Sequence, residues 1–150
     1  PKSQLIMTPI KHLFHISTPI NKVFEALSQP EPLSKWYTTI VDGKFKLDEI
    51  VTFEFVNFAA FKFKIINLVQ NKSIHFECVE SEWGNVGHIM KYDLDDNDGK
   101  TRVRYTYEGF LEMDDAFANM NYSSAKYLES LRQFCQKGIG EAFGSENYRS

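Results

Sequence analysis

Residues 53–65 read FEFVNFAAFKFKI, and this stretch decides the fold because its apolar residues recur at nearly every second position. An extended strand turns successive side chains to opposite faces, so such alternation predicts a half-buried strand. Val56 and Asn57 interrupt the alternation at a turn, after which it resumes. The stretch therefore predicts two antiparallel strands with an aromatic inner face and a charged outer face.

The same alternation recurs in the stretches that follow. Every second residue is expected to face inward, and most of these residues are apolar or aromatic. They are Ile74, Phe76 and Cys78, then His88, Met90, Tyr92 and Leu94, then Val103, Tyr105 and Tyr107. Turn-forming residues at 70–72 and 96–99 separate these runs. The sequence thus predicts an antiparallel meander from about Asp42 to Phe110, with Phe53, Phe55, Phe61 and Phe63 on its inner face as well.

A strand and two short helices are predicted before the meander. Residues 5–16 are rich in β-branched residues, and Pro9 favours an edge position for this strand. Ser17 or Thr18 can cap a helix whose apolar residues lie at helical spacing, namely Ile20, Val23, Phe24 and Leu27. Two prolines then break the chain, and a second short helix carries Leu33 and Trp36.

A long helix is predicted after the meander, from about Asn121 to Lys137. Its apolar side comprises Ala125, Leu128, Leu131 and Cys135. Lys137 and Gly138 make a plausible helix end. The polar tail after Gly144 is expected to be frayed.

Composition narrows the classes of function. The 150 residues suit one domain, spanning residues 1–150. A formal net charge of −3 argues against a nucleic-acid binder. No apolar run approaches the roughly 20 residues that span a bilayer, so no stable membrane insertion is expected. Two cysteines outside any CxxC pattern indicate reduced thiols and a cytoplasmic location.

Four stretches together resemble one superfamily: residues 16–27, 32–36, 99–110 and 128–132. In order and spacing they are similar to the START-like (SRPBCC) superfamily, and within it to the activator of Hsp90 ATPase homologues. The resemblance implies an α+β helix-grip fold, in which a curved antiparallel sheet wraps a long C-terminal helix, with a deep cavity between them. Relatives bind lipids, sterols or polyketides, some catalyse cyclisation or hydrolysis, and others act on chaperones.

The candidate ligand-binding residues are those expected to face this space: Trp36, Phe53, Phe55, Phe61, Phe63, Phe76, His88, Met90, Tyr92, Tyr105, Tyr107 and Leu128. Either they form a filled core or they line a pocket. Three tyrosine hydroxyls on one buried face need partners, which favours the pocket. Trp36 either closes the pocket mouth or staples its helix to the sheet. His88 either contacts a ligand or is satisfied by a tyrosine hydroxyl.

Three hypotheses about function follow. The first is binding of an apolar or amphipathic small molecule such as a lipid, polyketide or aromatic metabolite. The second is a protein-interaction domain resembling the chaperone activator, with a basic outer stripe of Lys62, Lys64, Lys91, Arg102 and Arg104. The third is a cyclase-like or hydrolase-like enzyme, although only His88 and the tyrosines are placed for chemistry and no catalytic residue is assigned. No metal or cofactor is expected, because His12 and His15 should lie on opposite strand faces. The oligomeric state stays open.

Overall fold

A seven-stranded antiparallel sheet and a long C-terminal helix dominate the computed structural model, which describes residues 8–149. The elements are β1 (Ile10–Ile16), α1 (Ile20–Ser28), α2 (Pro30–Trp36), β2 (Ile40–Asp42), β3 (Ile50–Phe55), β4 (Ala59–Val69), β5 (Ser73–Glu80), β6 (Ile89–Asn97), β7 (Lys100–Glu108) and α3 (Asp115–Lys137). The strand order is β1-β7-β6-β5-β4-β3-β2. The predicted α+β helix-grip architecture is confirmed.

The meander forms because each tight turn matches the twist of the strands that it joins. Asp98 and Gly99 both have positive φ, at 59° and 87°, and they form the two-residue turn between β6 and β7. The resulting register sets Tyr92 of β6 directly opposite Tyr105 of β7. The inner-face residues on either side of this pair are likewise opposite one another. β1 lies at one edge of the sheet, as Pro9 predicted.

The short helices differ from prediction in how α1 begins. Pro19 occupies the N-cap of α1, and no side chain caps it. Thr18 instead donates its hydroxyl hydrogen bond to the carbonyl of Cys135, 3.0 Å away at the end of α3. The predicted Ser17 or Thr18 cap is therefore wrong, because Thr18 satisfies a terminal carbonyl of another helix.

The long helix begins six residues earlier than predicted. Asp114 caps it by accepting a 3.0 Å hydrogen bond from the Phe117 backbone N–H. Gly138 ends it in a left-handed conformation, as expected. Its buried face also differs from prediction, since Ser124 and Ser130 are buried together with Leu128 and Leu131, whereas Ala125 is exposed.

Three further segments complete the comparison with the predicted elements. The three-residue strand β2 has no alternating pattern and escaped prediction. Residues 5–7 of the predicted first strand lie outside the described residues. The tail expected to fray folds back, since Arg149 pairs with Glu141 at 2.6 Å. Within residues 8–149, no helix combines the length and apolar character needed to cross a bilayer.

Candidate ligand-binding site

Aromatic rings cover the inner face of the sheet and contact one another. The buried members are Phe53, Phe55, Phe63, Phe76, Met90, Tyr92, Tyr105 and Tyr107, while Phe61 is half-buried. The rings of Phe53 and Phe76 lie 5.9 Å apart and nearly perpendicular, an arrangement that aromatic pairs prefer. The inward direction predicted for these side chains is confirmed.

Side chains pack against one another in the interior, as in the filled core that the sequence left open as one alternative. Phe45, from the connection before β3, packs its ring edge-on against both Phe53 and Phe76, at 6.3 and 6.4 Å. The two best-defined clefts among the described residues, of about 360 and 470 Å³, lie at the surface beside Lys137 and beside Asn71. Neither lies between the sheet and α3. A side chain from the connection between β2 and β3 thus occupies space that strand alternation alone left empty.

The buried tyrosine hydroxyls are satisfied to very different degrees. The Tyr105 hydroxyl lies 3.1 Å from the Ser124 hydroxyl of α3, within hydrogen-bond range. The Tyr92 hydroxyl reaches only the thioether sulfur of Met90, 3.9 Å away. Sulfur is a weak acceptor, so the Tyr92 hydroxyl is nearly unpartnered although the residue is only 3% exposed. Burial raises the pKa of both tyrosines, so both hydroxyls stay protonated as donors.

Tyr37, which directly follows α2, adds another interior hydroxyl. Its ring packs edge-on against Phe53, Phe55 and Tyr127, at 5.1, 5.5 and 5.1 Å. Burial raises the pKa of Tyr37 well above its usual value. The Tyr37 side chain as a whole is half-buried, so Tyr92 carries the poorly satisfied donor of the interior.

A polar cluster lies where β5 connects to β6. His88 precedes β6, and its Nδ1 lies 3.0 Å from the Tyr107 hydroxyl. The partner foreseen for a structurally satisfied His88 is thus present. Gly109 leaves room for the imidazole, because a Cβ there would approach the ring carbon Cδ2 within 2.2 Å. Burial lowers the pKa of His88 and raises that of Tyr107 to about 12. Nearby in sequence, the buried Oδ1 of Asn85 has no partner among the described residues.

Trp36 lies deep in the core and does not stand at an opening. It is fully buried, and its Nε1 donates a 2.8 Å hydrogen bond to the Ala26 carbonyl of α1. Its ring also meets Tyr92 edge-on at 6.4 Å. Of the two roles considered from sequence, these contacts favour stapling of α2. Leu128, buried on α3, closes the same core from the opposite side.

The outer face of the sheet carries charges that pair with one another. Lys91 pairs with Glu108 at 3.0 Å. Arg102 and Arg104 both pair with Asp95, at 3.3 and 2.7 Å. These pairs neutralise three of the five cations in the predicted stripe, so the stripe offers less charge to an acidic partner than the sequence indicated.

The interior can therefore offer apolar surface and uncharged hydrogen-bonding groups. The buried Cys78 thiol has its pKa raised by burial, so it is not a poised thiolate. Sequence reasoning missed Tyr37, Asn85 and Ser124. Tyr37 and Asn85 lie outside the alternating strands. The inner face of the helix was predicted from its apolar residues, so the polar Ser124 was not included. No periodic signal therefore marked these three residues.

Family comparison agrees with this architecture. A family model described as activator of Hsp90 ATPase homolog 1-like protein matches residues 17–136. The chain belongs to this family. No curated protein sequence matches it significantly. Fold and family together confirm the START-like (SRPBCC) resemblance.

Solved structures of other proteins share this architecture. The Aha1 dimer from Colwellia psychrerythraea is 26% identical, with 89% of this chain and 99% of that chain covered and a TM-score of 0.82. A protein from Staphylococcus saprophyticus is 18% identical, with coverages of 89% and 95% and a TM-score of 0.75. CalU16 from Micromonospora echinospora is 12% identical, with coverages of 87% and 77% and a TM-score of 0.72. The last two share the fold alone.

Proposed function

We propose that this family member binds an uncharged, largely aromatic small molecule between the inner face of the sheet and α3. The observation that carries the proposal is the Tyr92 hydroxyl, which is buried and whose only partner within residues 8–149 is a thioether 3.9 Å away. Burying a hydroxyl without a good hydrogen bond costs about 1–3 kcal/mol in proteins. A ligand with a carbonyl or hydroxyl oxygen would remove this cost, and Tyr37 offers a second donor nearby in the aromatic interior.

The charge of the interior selects the class of ligand. The buried polar residues within residues 8–149 are threonines and serines, and none is Lys, Arg, Asp or Glu. His88 is kept neutral by its lowered pKa. A buried carboxylate without a cation pays a large desolvation cost. The interior therefore suits aromatic or polyketide-like molecules better than free fatty acids.

Entry of a ligand requires the closed interior to open, and the first half of α3 is the element suited to move. From Asp115 to Tyr127, only Ser124 is buried, and five residues are half-buried: Phe117, Met120, Ser123, Lys126 and Tyr127. The second half is anchored by Leu128, Ser130 and Leu131. Segments with few buried contacts open at low free-energy cost. We infer that the start of α3 swings outward to admit the molecule.

Titration with two fluorescent probes tests the proposal. Neutral Nile red should bind with a blue-shifted emission, whereas dansyl-undecanoic acid, which carries a carboxylate, should bind more weakly. Tyr92→Phe keeps the ring and removes the hydroxyl, so it should weaken Nile red binding by up to about tenfold. Tyr122→Phe is the matched control, since Tyr122 is exposed on α3. Native mass spectrometry of protein purified from cells would identify any retained molecule.

Two results would count against this site. Nile red that shows no shift with the wild-type chain would remove the ligand-binding proposal itself. Binding that is equally strong for Tyr92→Phe and Tyr122→Phe would place the molecule elsewhere. Stronger binding of the fatty-acid probe would overturn only the inference that the ligand is uncharged.

A chaperone-directed function is the second candidate, supported by the 26% identity with an Aha1 protein over 89% of the chain. Stimulation of ATP hydrolysis by a purified Hsp90 chaperone tests it, and no stimulation at saturating protein concentration would exclude it. A cytoplasmic location fits either candidate, because Cys78 and Cys135 are free thiols.

A further inference from the structure

Five large apolar side chains are exposed at one end of the sheet. They lie in the three connections that follow β3, β5 and β7, and each is more than half exposed: Phe58, Trp83, Val86, Leu111 and Met113. Soluble proteins rarely gather so many apolar side chains on one exposed surface without a binding role. We call residues 56–58, 81–88 and 109–115 together the loop-end surface.

The topology brings these three connections together. Adjacent strands are antiparallel, so β3, β5 and β7 run in the same direction and their C-terminal ends lie at the same end of the sheet. Neighbouring strands lie about 5 Å apart, which sets successive connections about 10 Å from each other. Direct contacts link them, since the rings of Phe58 and Trp83 lie 5.0 Å apart and those of His88 and Phe110 lie 4.9 Å apart.

The charge of the loop-end surface has one sign. Its charged residues are Glu82, Glu112, Asp114 and Asp115, and it contains no Lys or Arg. The four exposed carboxylates lie in the same connections as the exposed apolar side chains, so the surface combines apolar contact with a negative potential. A partner that matches both properties carries apolar and positively charged side chains on one face.

We propose that the loop-end surface docks a basic amphipathic segment of another protein. Exposed Trp and Met side chains supply the apolar anchors that such interfaces use. A second copy of this chain would bring acidic residues against acidic residues, and an anionic membrane would be repelled in the same way. Apart from His88 and Asp115, the surface contains no residue on which the ligand proposal rests, so this inference does not depend on the proposed ligand.

A labelled synthetic helical peptide with Leu at i, i+3, i+4 and i+7 along one face and Lys at the remaining positions is the probe. It should bind the full chain, with nuclear magnetic resonance shift changes concentrated at residues 56–58, 81–88 and 109–115. A Glu/Leu peptide and a Lys/Ser peptide of equal length, which lack the positive charge and the apolar face respectively, should bind at least about tenfold more weakly. Binding of the Lys/Leu peptide should also weaken as salt concentration rises.

Matched variants separate the two contributions. Trp83→Ser and Glu112→Lys should each weaken Lys/Leu peptide binding by about tenfold. Leu13→Ser and Glu25→Lys are the controls, since both residues are exposed elsewhere on β1 and α1. They should leave binding unchanged. Because all four positions are exposed, circular dichroism should show the fold intact in each variant.

The proposal is overturned if the Lys/Ser or Glu/Leu peptide binds as tightly as the Lys/Leu peptide. It is also overturned if the shift changes map outside the loop-end surface, or if the control variants weaken binding as much as Trp83→Ser does. Sedimentation that shows a dimer dissociated by Trp83→Ser would assign the surface to a second copy instead.

Discussion

Removing the hydroxyl of Tyr92 should stabilise the protein, whereas removing that of Tyr105 should destabilise it. The two residues face each other across β6 and β7, and both are almost fully buried. They differ in their partners. Tyr105 lies 3.1 Å from the Ser124 hydroxyl, whereas Tyr92 has a sulfur 3.9 Å away. The same Tyr→Phe change therefore tests two hydroxyls in one aromatic environment.

The expected magnitudes follow from these contacts. Burying a hydroxyl without a good hydrogen bond costs about 1–3 kcal/mol, so Tyr92→Phe should raise the free energy of unfolding by about 1 kcal/mol. Tyr105→Phe loses a hydrogen bond and leaves the buried Ser124 hydroxyl unpartnered, so it should lower that free energy by about 1–2 kcal/mol. Near 150 residues, each kcal/mol shifts the melting temperature by about 2–4 °C.

Urea denaturation followed by far-ultraviolet circular dichroism, with calorimetry for the melting temperature, measures both variants against wild type. The reasoning is refuted if Tyr92→Phe lowers the free energy of unfolding as much as Tyr105→Phe does. That result would mean that a good partner, such as an enclosed water molecule, already satisfies the Tyr92 hydroxyl. The ligand proposal would then lose the observation that carries it.

Three other changes have defined outcomes. Ser130→Ala should cost about 2–4 kcal/mol in urea denaturation, because the buried hydroxyl donates to the Trp36 carbonyl at 2.7 Å and accepts from the Glu141 N–H at 2.6 Å. Phe76→Ala should cost about 3–5 kcal/mol by the same measurement, since it empties the centre of the ring cluster. Burial lowers the pKa of folded His88, so the unfolded chain binds its proton more readily. Stability should therefore fall as pH drops from about 7 to 5, and His88→Gln should reduce that loss in melting temperature.

Each of these changes has a matched control. Ser123→Ala alters a half-buried serine of α3 without a hydrogen-bond partner among the described residues, and it should change stability little. Val69→Ala changes an exposed apolar residue of β4 and is the control for Phe76→Ala. His15→Gln changes an exposed histidine of β1 and is the control for His88→Gln. Both should change stability little. Equal losses in a variant and its control, or a pH response unchanged by His88→Gln, would contradict the corresponding prediction.

The sheet was predictable from sequence because its signal is local. Alternation in a strand depends only on neighbouring residues, so the inward direction of Phe53 and Tyr105 could be inferred without knowing their partners. The start of α3 was not predictable in the same way. Residues 115–120 are mostly exposed and lack a continuous apolar face, and the helix begins there because the Asp114 side chain caps it.

The state of the interior depends on contacts between residues distant in sequence. Alternation shows which rings face inward, but Tyr37 and Phe45 enter from α2 and from the connection before β3 and occupy the space. The choice between a filled core and an open pocket was therefore beyond sequence patterns. Hydroxyl satisfaction has the same limit, because Ser124 reaches Tyr105 only after α3 has packed on the sheet.

The strand order β1-β7-β6-β5-β4-β3-β2 has a consequence for synthesis. Each hairpin from β2 onward can pair as soon as its second strand leaves the ribosome, whereas β1 emerges before them and waits for β7, its neighbour in the sheet formed by residues 8–149. Throughout that interval a nascent chain exposes an unpaired strand that other chains could join. Translation speed after β6, and assistance from factors that hold emerging polypeptides, should therefore govern the yield of correctly assembled protein.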